Sequence, residues 1–200
     1  MTHLNLLVGL GNPGQEYIQT RHNAGFMLVD RLIEQAGPLA AQTSAGSASR
    51  RNSLLWKAAV APNMPPALFL KPQTFMNLSG ESVRQIASYF SIAPDNILVV
   101  HDELDLPLGR MRLKTGGGDA GHKGLLSITA QLGTPDYHRL RLGIGRPPYP
   151  DTASWVLGRF SATEQEVLDR VLAEAADCIR VFAKEGPKAA QIKANAFRAE

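Results

Sequence analysis

The chain has 200 residues, 44% hydrophobic and 20% charged, which is enough for one compact domain with a sizeable core and too apolar for a disordered chain. Its net charge is +3, and no apolar run is long enough to span a membrane. A single cysteine, Cys178, excludes an intrachain disulfide and suits a reducing cytosol. The stretch Met1-Thr2-His3-Leu4-Asn5 carries neither the basic nor the apolar region of a secretory leader, so a cytoplasmic protein is expected.

In chain order, Leu4–Val8 is a short apolar run stopped by glycine and predicts a buried strand. A turn follows at Gly9-Leu10-Gly11-Asn12-Pro13-Gly14. Phe26, Val29, Ile33 and Ala36 are spaced as on a helix running from about Asn23 to Ala36, which Gly37-Pro38 ends. Residues 38–53 are small and polar and predict a mobile loop. Leu54–Ala61 and Ala67–Leu70 predict strands joined by a turn over Pro62–Pro66. Val83, Ile86, Ala87 and Phe90 mark a second helix, and Ile97–Val100 reads as a central strand. Gly116-Gly117-Gly118 is a flexible break before a helix from about Gly121 to Leu132. Leu140–Ile144 predicts another strand. Ser161 and Glu164 form a capping box ahead of a long amphipathic helix containing Cys178. A last short helix after Gly186-Pro187 carries Lys188, Lys193 and Arg198. Alternating strands and helices predict an α/β fold with some parallel strand pairs: one domain over 1–200, with 185–200 a basic helical segment.

Charge is unevenly placed. Between Arg110 and Arg146 lie seven cations and two acids, a local excess of +5 that exceeds the +3 of the whole chain. Such a stretch can attract phosphates, or it can be an ordinary solvated face.

Four segments carry candidate chemistry. The first is the glycine turn at 9–14 with Thr20-Arg21-His22-Asn23. It matches a dinucleotide-binding pattern, but that pattern needs a helix opening at the glycines. Here Pro13 interrupts the turn and eight residues separate Gly14 from Asn23. His22 is a candidate base. The second segment places Asp102 directly after the strand Ile97–Val100, where a carboxylate can accept a histidine N–H and fix its tautomer. Alternatively, these acids only end a strand, and spacing alone does not bring Asp102 to His22. Third, in Lys71–Gly80, Asn77 can donate to a developing oxyanion or cap the following helix. Fourth, Gly116–Gly124 offers small residues that admit a nucleic-acid backbone, flanked by Lys114 and Lys123. No HExxH, paired-cysteine or GxSxG motif is present, so neither a metal, a cofactor nor a nucleophilic serine is expected. His101, beside Asp102 and Glu103, is the weak candidate for a metal ligand.

Taken together, the stretches GLGNPGQEYIQTRHNAGF (9–26), KPQTFMNLSG (71–80), HDELDLPLGRMRLKTGGGDAGHKGL (101–125) and RLRLGIGRP (139–147) resemble the bacterial peptidyl-tRNA hydrolase family, in that family's order. The resemblance implies a single-domain α/β sandwich with a twisted mixed β-sheet between helices. It implies a metal-independent monomer that cleaves the ester between peptide and tRNA 3′ ribose. It further implies that His22 is the general base and Asp102 its orienting partner. Asn12 and Asn77 match the family's substrate-positioning asparagines, and Tyr17, Phe75 and Met76 match residues lining the cleft. Lys114 and Arg141 match cations that hold tRNA phosphate. One departure is Lys123, where the family usually has asparagine: lysine donates but does not accept. Two rival readings are a non-catalytic RNA-binding relative and a nucleotide-cofactor enzyme built on the glycine turn.

Overall fold

In the computed structural model, which describes residues 3–46 and 52–199, short parallel strands form the centre of a seven-stranded mixed sheet. Strands β1 (Leu6–Gly9), β4 (Ala67–Pro72), β5 (Ile97–Glu103) and β7 (His138–Gly143) are parallel, while β2 (Ala41–Thr43), β3 (Ser53–Ala58) and β6 (Met111–Thr115) run antiparallel at the edges. The order is β2-β3-β4-β1-β5-β7-β6. β1 and β5 are buried at every residue, which explains why they read as continuous apolar runs and not as alternation.

Side chains alternate across the sheet, and each face has its own core. One face packs Leu7, Phe69, Leu98, Val100, Leu140 and Leu142 against α1 (Ala24–Ala36) and α5 (Ala162–Glu185). The other packs Leu6, Val8, Leu70, Ile97 and Val99 against α2 (Ser79–Tyr89) and α3 (Lys123–Leu132). The capping box at Ser161 and Glu164 is present: each satisfies a backbone N–H of the other. Cys178 is buried, and its thiol is pushed up to about 12 by that burial. The short α4 (Thr152–Leu157) stands between β7 and α5, and α6 (Pro187–Ala196) closes the chain against β6, where Asn195 accepts from the Leu113 amide.

Several expectations are corrected. Within the predicted loop 38–53, residues 41–43 form β2, paired with Leu55–Lys57, and Ser53 opens β3; residues 47–51 lie outside the described residues. β6 and α4 add to the expected elements; in β6, Met111-Arg112-Leu113-Lys114 alternates apolar and polar as a half-buried strand does. β5 does not end at Val100 but continues through His101, Asp102 and Glu103, all buried, so the acids do not merely solvate a turn. Arg198 lies beyond the last helix, and Lys193 on that helix pairs with Glu174.

Topology decides where a site can form. β1 lies between β4 and β5, and the helices that follow β1 and β4 cover opposite faces. The connections therefore diverge at the carboxyl end of β1 and leave a crevice there. No helix among the described residues is long and apolar enough to cross a membrane.

Candidate active site

The glycine turn leaves β1 into this crevice. Gly14 does not open a long helix; a one-turn 3-10 helix at Gln15–Tyr17 follows, and a second at Arg21–Asn23 leads into α1. The dinucleotide geometry, in which helix amides meet a pyrophosphate at the glycines, is therefore not formed here. Arg21 anchors this turn. Its guanidinium bonds Glu164 through both carboxylate oxygens, donates to the Arg159 carbonyl and lies 3.8 Å over the Trp155 ring. The turn that presents His22 is thereby fastened to α4 and to the start of α5.

His22 Nδ1 lies 2.8 Å from Asp102 Oδ1, across 80 residues of sequence. A carboxylate only accepts, so Nδ1 carries the proton and Nε2 keeps its lone pair. Nε2 has no protein partner among the described residues, and His22 lines a cavity of about 420 Å³. Asp102 is 3% exposed. Burial raises its pKa, but His22 and His122, both bonded to Oδ1, outweigh burial and hold the carboxyl far below the usual carboxylate range.

Asn12 and Asn23 form the adjoining network. Asn23 accepts from the Asn12 amide at 2.8 Å and donates to its carbonyl at 3.0 Å. Asn12 Oδ1 accepts from the Met76 amide at 2.8 Å. This assigns the Asn12 side chain: its oxygen is committed to the Met76 backbone, and its amide Nδ2 is the group left for a ligand. Met76 packs between Asn12 and Gly124.

Asn12, His22, Asp102 and Lys123 line one cavity, walled by α4 through Thr152, Ala153, Val156 and Leu157. Tyr17, Phe75, Met76 and Asn77 do not line it. Phe75 and Asn77 are exposed, Tyr17 is half-buried and Met76 is buried. The capping alternative for Asn77 is not realised, because α2 has no side-chain cap.

The cationic stretch is less free than its sequence suggests. β6 pairs with β7 so that Arg112 faces Arg141 and Lys114 faces Arg139, four cations on one face. Arg139 is fully buried and pairs with Asp119; Arg141 donates to Glu103 at 2.9 Å; Arg146 pairs with Asp105. The local excess of +5 is therefore partly neutralised by acids from outside the stretch. Lys114 lies against the Gly117 backbone and bonds to no acid among the described residues. Partial burial, then Arg141 and Arg139, lower its pKa below the ordinary lysine value.

Sequence reasoning missed Asn23, Glu103 and the role of His122, all of which lie inside the quoted motifs. Their partners come from other elements, so no local spacing announces them. His101 is buried and donates from Nδ1 to the Asp102 carbonyl at 2.7 Å. Its Nε2 is buried with no hydrogen-bond partner among the described residues, and His101 is not among the side chains whose ligand atoms converge as if for a metal. The nearest cluster with that potential is His22, Asp102 and His122, whose ligand atoms lie within 4.8 Å of one another. The two histidine nitrogens facing Asp102 both lie at hydrogen-bond distance from its Oδ1.

Burial lowers the pKa of His101, with His122 adding to the effect, and burial also lowers that of His138. Both are neutral in the folded protein at a pH where unfolded histidine takes a proton. Stability is thus complete above about pH 6.5 and falls as pH drops below it, by at most about 1.4 kcal/mol per pH unit for each histidine. Urea midpoints between pH 7.5 and 5.5 should show this slope, and His138→Gln should reduce it. A flat profile refutes the assignment.

Known proteins resemble this chain in both sequence and fold. A family model described as Peptidyl-tRNA hydrolase matches residues 6–200. A protein named peptidyl-tRNA hydrolase from Nitratidesulfovibrio vulgaris (strain DSM 19637 / Miyazaki F) is 56% identical over 203 residues, covering 99% of each chain. Another of that name from Rhodococcus opacus is 47% identical over 188 residues, 93% of this chain and 95% of its own. The crystal structure of peptidyl-tRNA hydrolase from Acinetobacter baumannii superposes with a TM-score of 0.90 at 36% identity, over 100% of this chain and 98% of that one. With the family model, the relatives' sequences and the superposed fold in agreement, the chain belongs to the peptidyl-tRNA hydrolase family.

Proposed function

We propose that this protein hydrolyses the ester joining a peptide, or any N-blocked aminoacyl group, to the 3′ ribose of tRNA, releasing free tRNA during translation. The observation that carries the reading is His22: Nδ1–H is held by buried Asp102, and Nε2 is free in a cavity large enough for the end of a substrate. Nε2 takes a proton from water as the water oxygen attacks the ester carbonyl. The oxyanion collapses, the bond to the ribose oxygen breaks, and that oxygen leaves with the proton from His22. Asp102 supports the transient imidazolium without taking its proton.

Asn12 Nδ2 contacts the substrate near the scissile bond, and the exposed Asn77 donates to the oxyanion. Tyr17, Phe75 and Met76 shape the approach to that centre. A free, charged α-amine resists entry into a site built for a neutral amide, so unblocked aminoacyl-tRNA is spared. The enzyme is read as a cytoplasmic monomer.

RNA is gripped through its backbone. Lys114 and Arg141 lie on the same sheet face, and the crowding of like charge there favours a phosphate between them. Lys123 stands at the first position of α3, where a cation is unfavourable beside the positive helix end by about 0.3–1 kcal/mol. A phosphate at that place offsets the cost. Lys114→Ala should lower the slope of log affinity against log salt by about 1 for tRNA, measured by filter binding or fluorescence; an unchanged slope removes Lys114 from the interface. Arg141→Ala is the poorer probe, because it also leaves buried Glu103 unpaired.

The function is tested by mixing the protein with N-acetyl-aminoacyl-tRNA and, in parallel, unblocked aminoacyl-tRNA. Cleavage of only the blocked substrate is expected. Tight tRNA binding with no cleavage means that the fold has been kept for binding alone.

A further inference from the structure

His122 opens α3 as its N-cap, a place usually held by serine, threonine, aspartate or asparagine. Its backbone is extended, and its ring turns back over the first turn of the helix. Nδ1 accepts from the amides of Gly124 at 3.2 Å and Leu125 at 3.4 Å. Amides only donate, so Nδ1 holds a lone pair and the ring proton sits on Nε2. Nε2 in turn lies 3.1 Å from Asp102 Oδ1, the same oxygen that His22 Nδ1 approaches at 2.8 Å. A second proton at Nδ1 would face two N–H donors and break the helix cap.

We propose that His122 is a positioning residue that acts on the base through Asp102: α3 fixes its tautomer, and its Nε2–H competes with His22 for one carboxylate oxygen. The inference rests on the reading of His22 as base given above. A buried carboxylate with a single imidazole partner binds that imidazole's proton tightly. The charged pair then persists near neutral pH, where a base must be empty. A second, fixed donor on the same oxygen spreads the carboxylate charge and weakens that hold. It also prevents Asp102 from rotating away when His22 gains and returns its proton.

The surroundings are consistent with this role. The rings of His22 and His122 are 5.0 Å apart at 49°, and His101 meets His122 edge-on at 4.9 Å. His101 gives its Nδ1–H to the Asp102 carbonyl, and its buried Nε2 has no partner among the described residues. The other charged groups lining the cavity are Glu103, Asp105, Lys123 and Arg146. Glu103 is paired with Arg141 and Asp105 with Arg146, so Lys123 is the remaining cation and does not supply a donor to Asp102.

The two ring nitrogens have different jobs, and two substitutions separate them. In His122→Asn the side-chain oxygen replaces Nδ1 as helix cap, but the amide does not reach Asp102. In His122→Gln the longer amide reaches Asp102 as a donor while the cap is weakened. The expected result for His122→Asn is a near wild-type melting temperature with the acidic limb of kcat/KM moved up by about one pH unit. This appears as roughly tenfold lower activity on the acidic side that recovers at high pH. His122→Gln should keep the wild-type limb and melt lower. Nitrogen-15 NMR of the wild type should show His122 protonated at Nε2 and bare at Nδ1.

A His122→Asn profile that superimposes on the wild type overturns the proposal, as does a loss of kcat that is equal at every pH in both variants. A ring protonated at Nδ1 overturns it even if the variants do not fold. Activity of His22→Ala in the same assay separates the two claims. If that variant is inactive while the His122→Asn limb is unmoved, only the present inference fails; if it is fully active, the base assignment fails first.

Discussion

His22→Ala should lower kcat on blocked aminoacyl-tRNA by about 10²–10⁴-fold while leaving tRNA affinity close to wild type. At 1.36 kcal/mol per tenfold this is about 3–5 kcal/mol of transition-state stabilisation. The asymmetry between rate and affinity follows from position. His22 stands in the cavity with only one nitrogen free, whereas the cations proposed to grip RNA stand on β6 and β7. Asp102→Asn should cost a similar amount for a different reason. The carboxamide oxygen can still accept from the imidazole N–H groups of His22 and His122 at the place of Oδ1, but it carries no charge to support the imidazolium. If the amide nitrogen turns toward His22, the ring must flip its tautomer, and Nε2 then carries a proton and is no base. Single-turnover cleavage together with tRNA binding measures both quantities. A His22→Ala enzyme that retains full kcat removes the base from the mechanism, and one that loses affinity in step with rate means that His22 only holds substrate.

The second large effect is structural. Gly25 is the second residue of α1, and a methyl group built on it would stand 2.4 Å from the Leu10 amide nitrogen and 2.5 Å from the Val100 carbonyl oxygen. Both neighbours are backbone, in the strands that carry the glycine turn and Asp102, and neither can swing aside. Gly9 makes the reciprocal close approach to the Gly25 carbonyl. The helix therefore lies directly on the sheet at the point where His22 must meet Asp102. Gly25→Ala should destabilise by about 3 kcal/mol and lower the melting temperature by roughly 10 °C. Any folded fraction should lose activity as well, because a displacement of α1 near 1 Å misplaces the base by enough to cost about 100-fold. Gly133→Ala is the comparison. Gly133 ends α3 at φ 72 with open space around it, so only the left-handed backbone is penalised, by about 1–2 kcal/mol. Equal melting temperatures for the two variants would show that close packing at Gly25 is not what holds the helix there.

The sequence by itself determined the parts of this protein whose causes are local. β1 and β5 are legible because a strand buried on both faces must be apolar throughout. The long helix from Ala162 is legible because Ser161 and Glu164 satisfy each other's amides within four residues. The chemistry-bearing segments are legible as motifs, and His22 and Asp102 stand out because their residue types suit acid–base work. Other features are decided only in three dimensions. β6 alternates apolar and polar side chains over only five residues and α4 spans six, so both are fixed by tertiary contact, β6 by pairing with β7 and α4 by contact with the His22 turn. β2 lies in a small, polar stretch and exists because β3 offers it an edge. The acids after Val100 are buried because β7 extends the ladder past Asp102, which no feature of Asp102 itself foretells. Arg141 and Arg146 are paired with Glu103 and Asp105 from outside the cationic stretch, so a charge count along that stretch overstates what is free to meet RNA. The assembly of the base likewise depends on a crossover. His22 reaches Asp102 across 80 residues and His122 reaches it across 20, since β1 and β5 end, and α3 begins, at one crevice. Spacing along a chain carries no information about such a meeting; the strand order does.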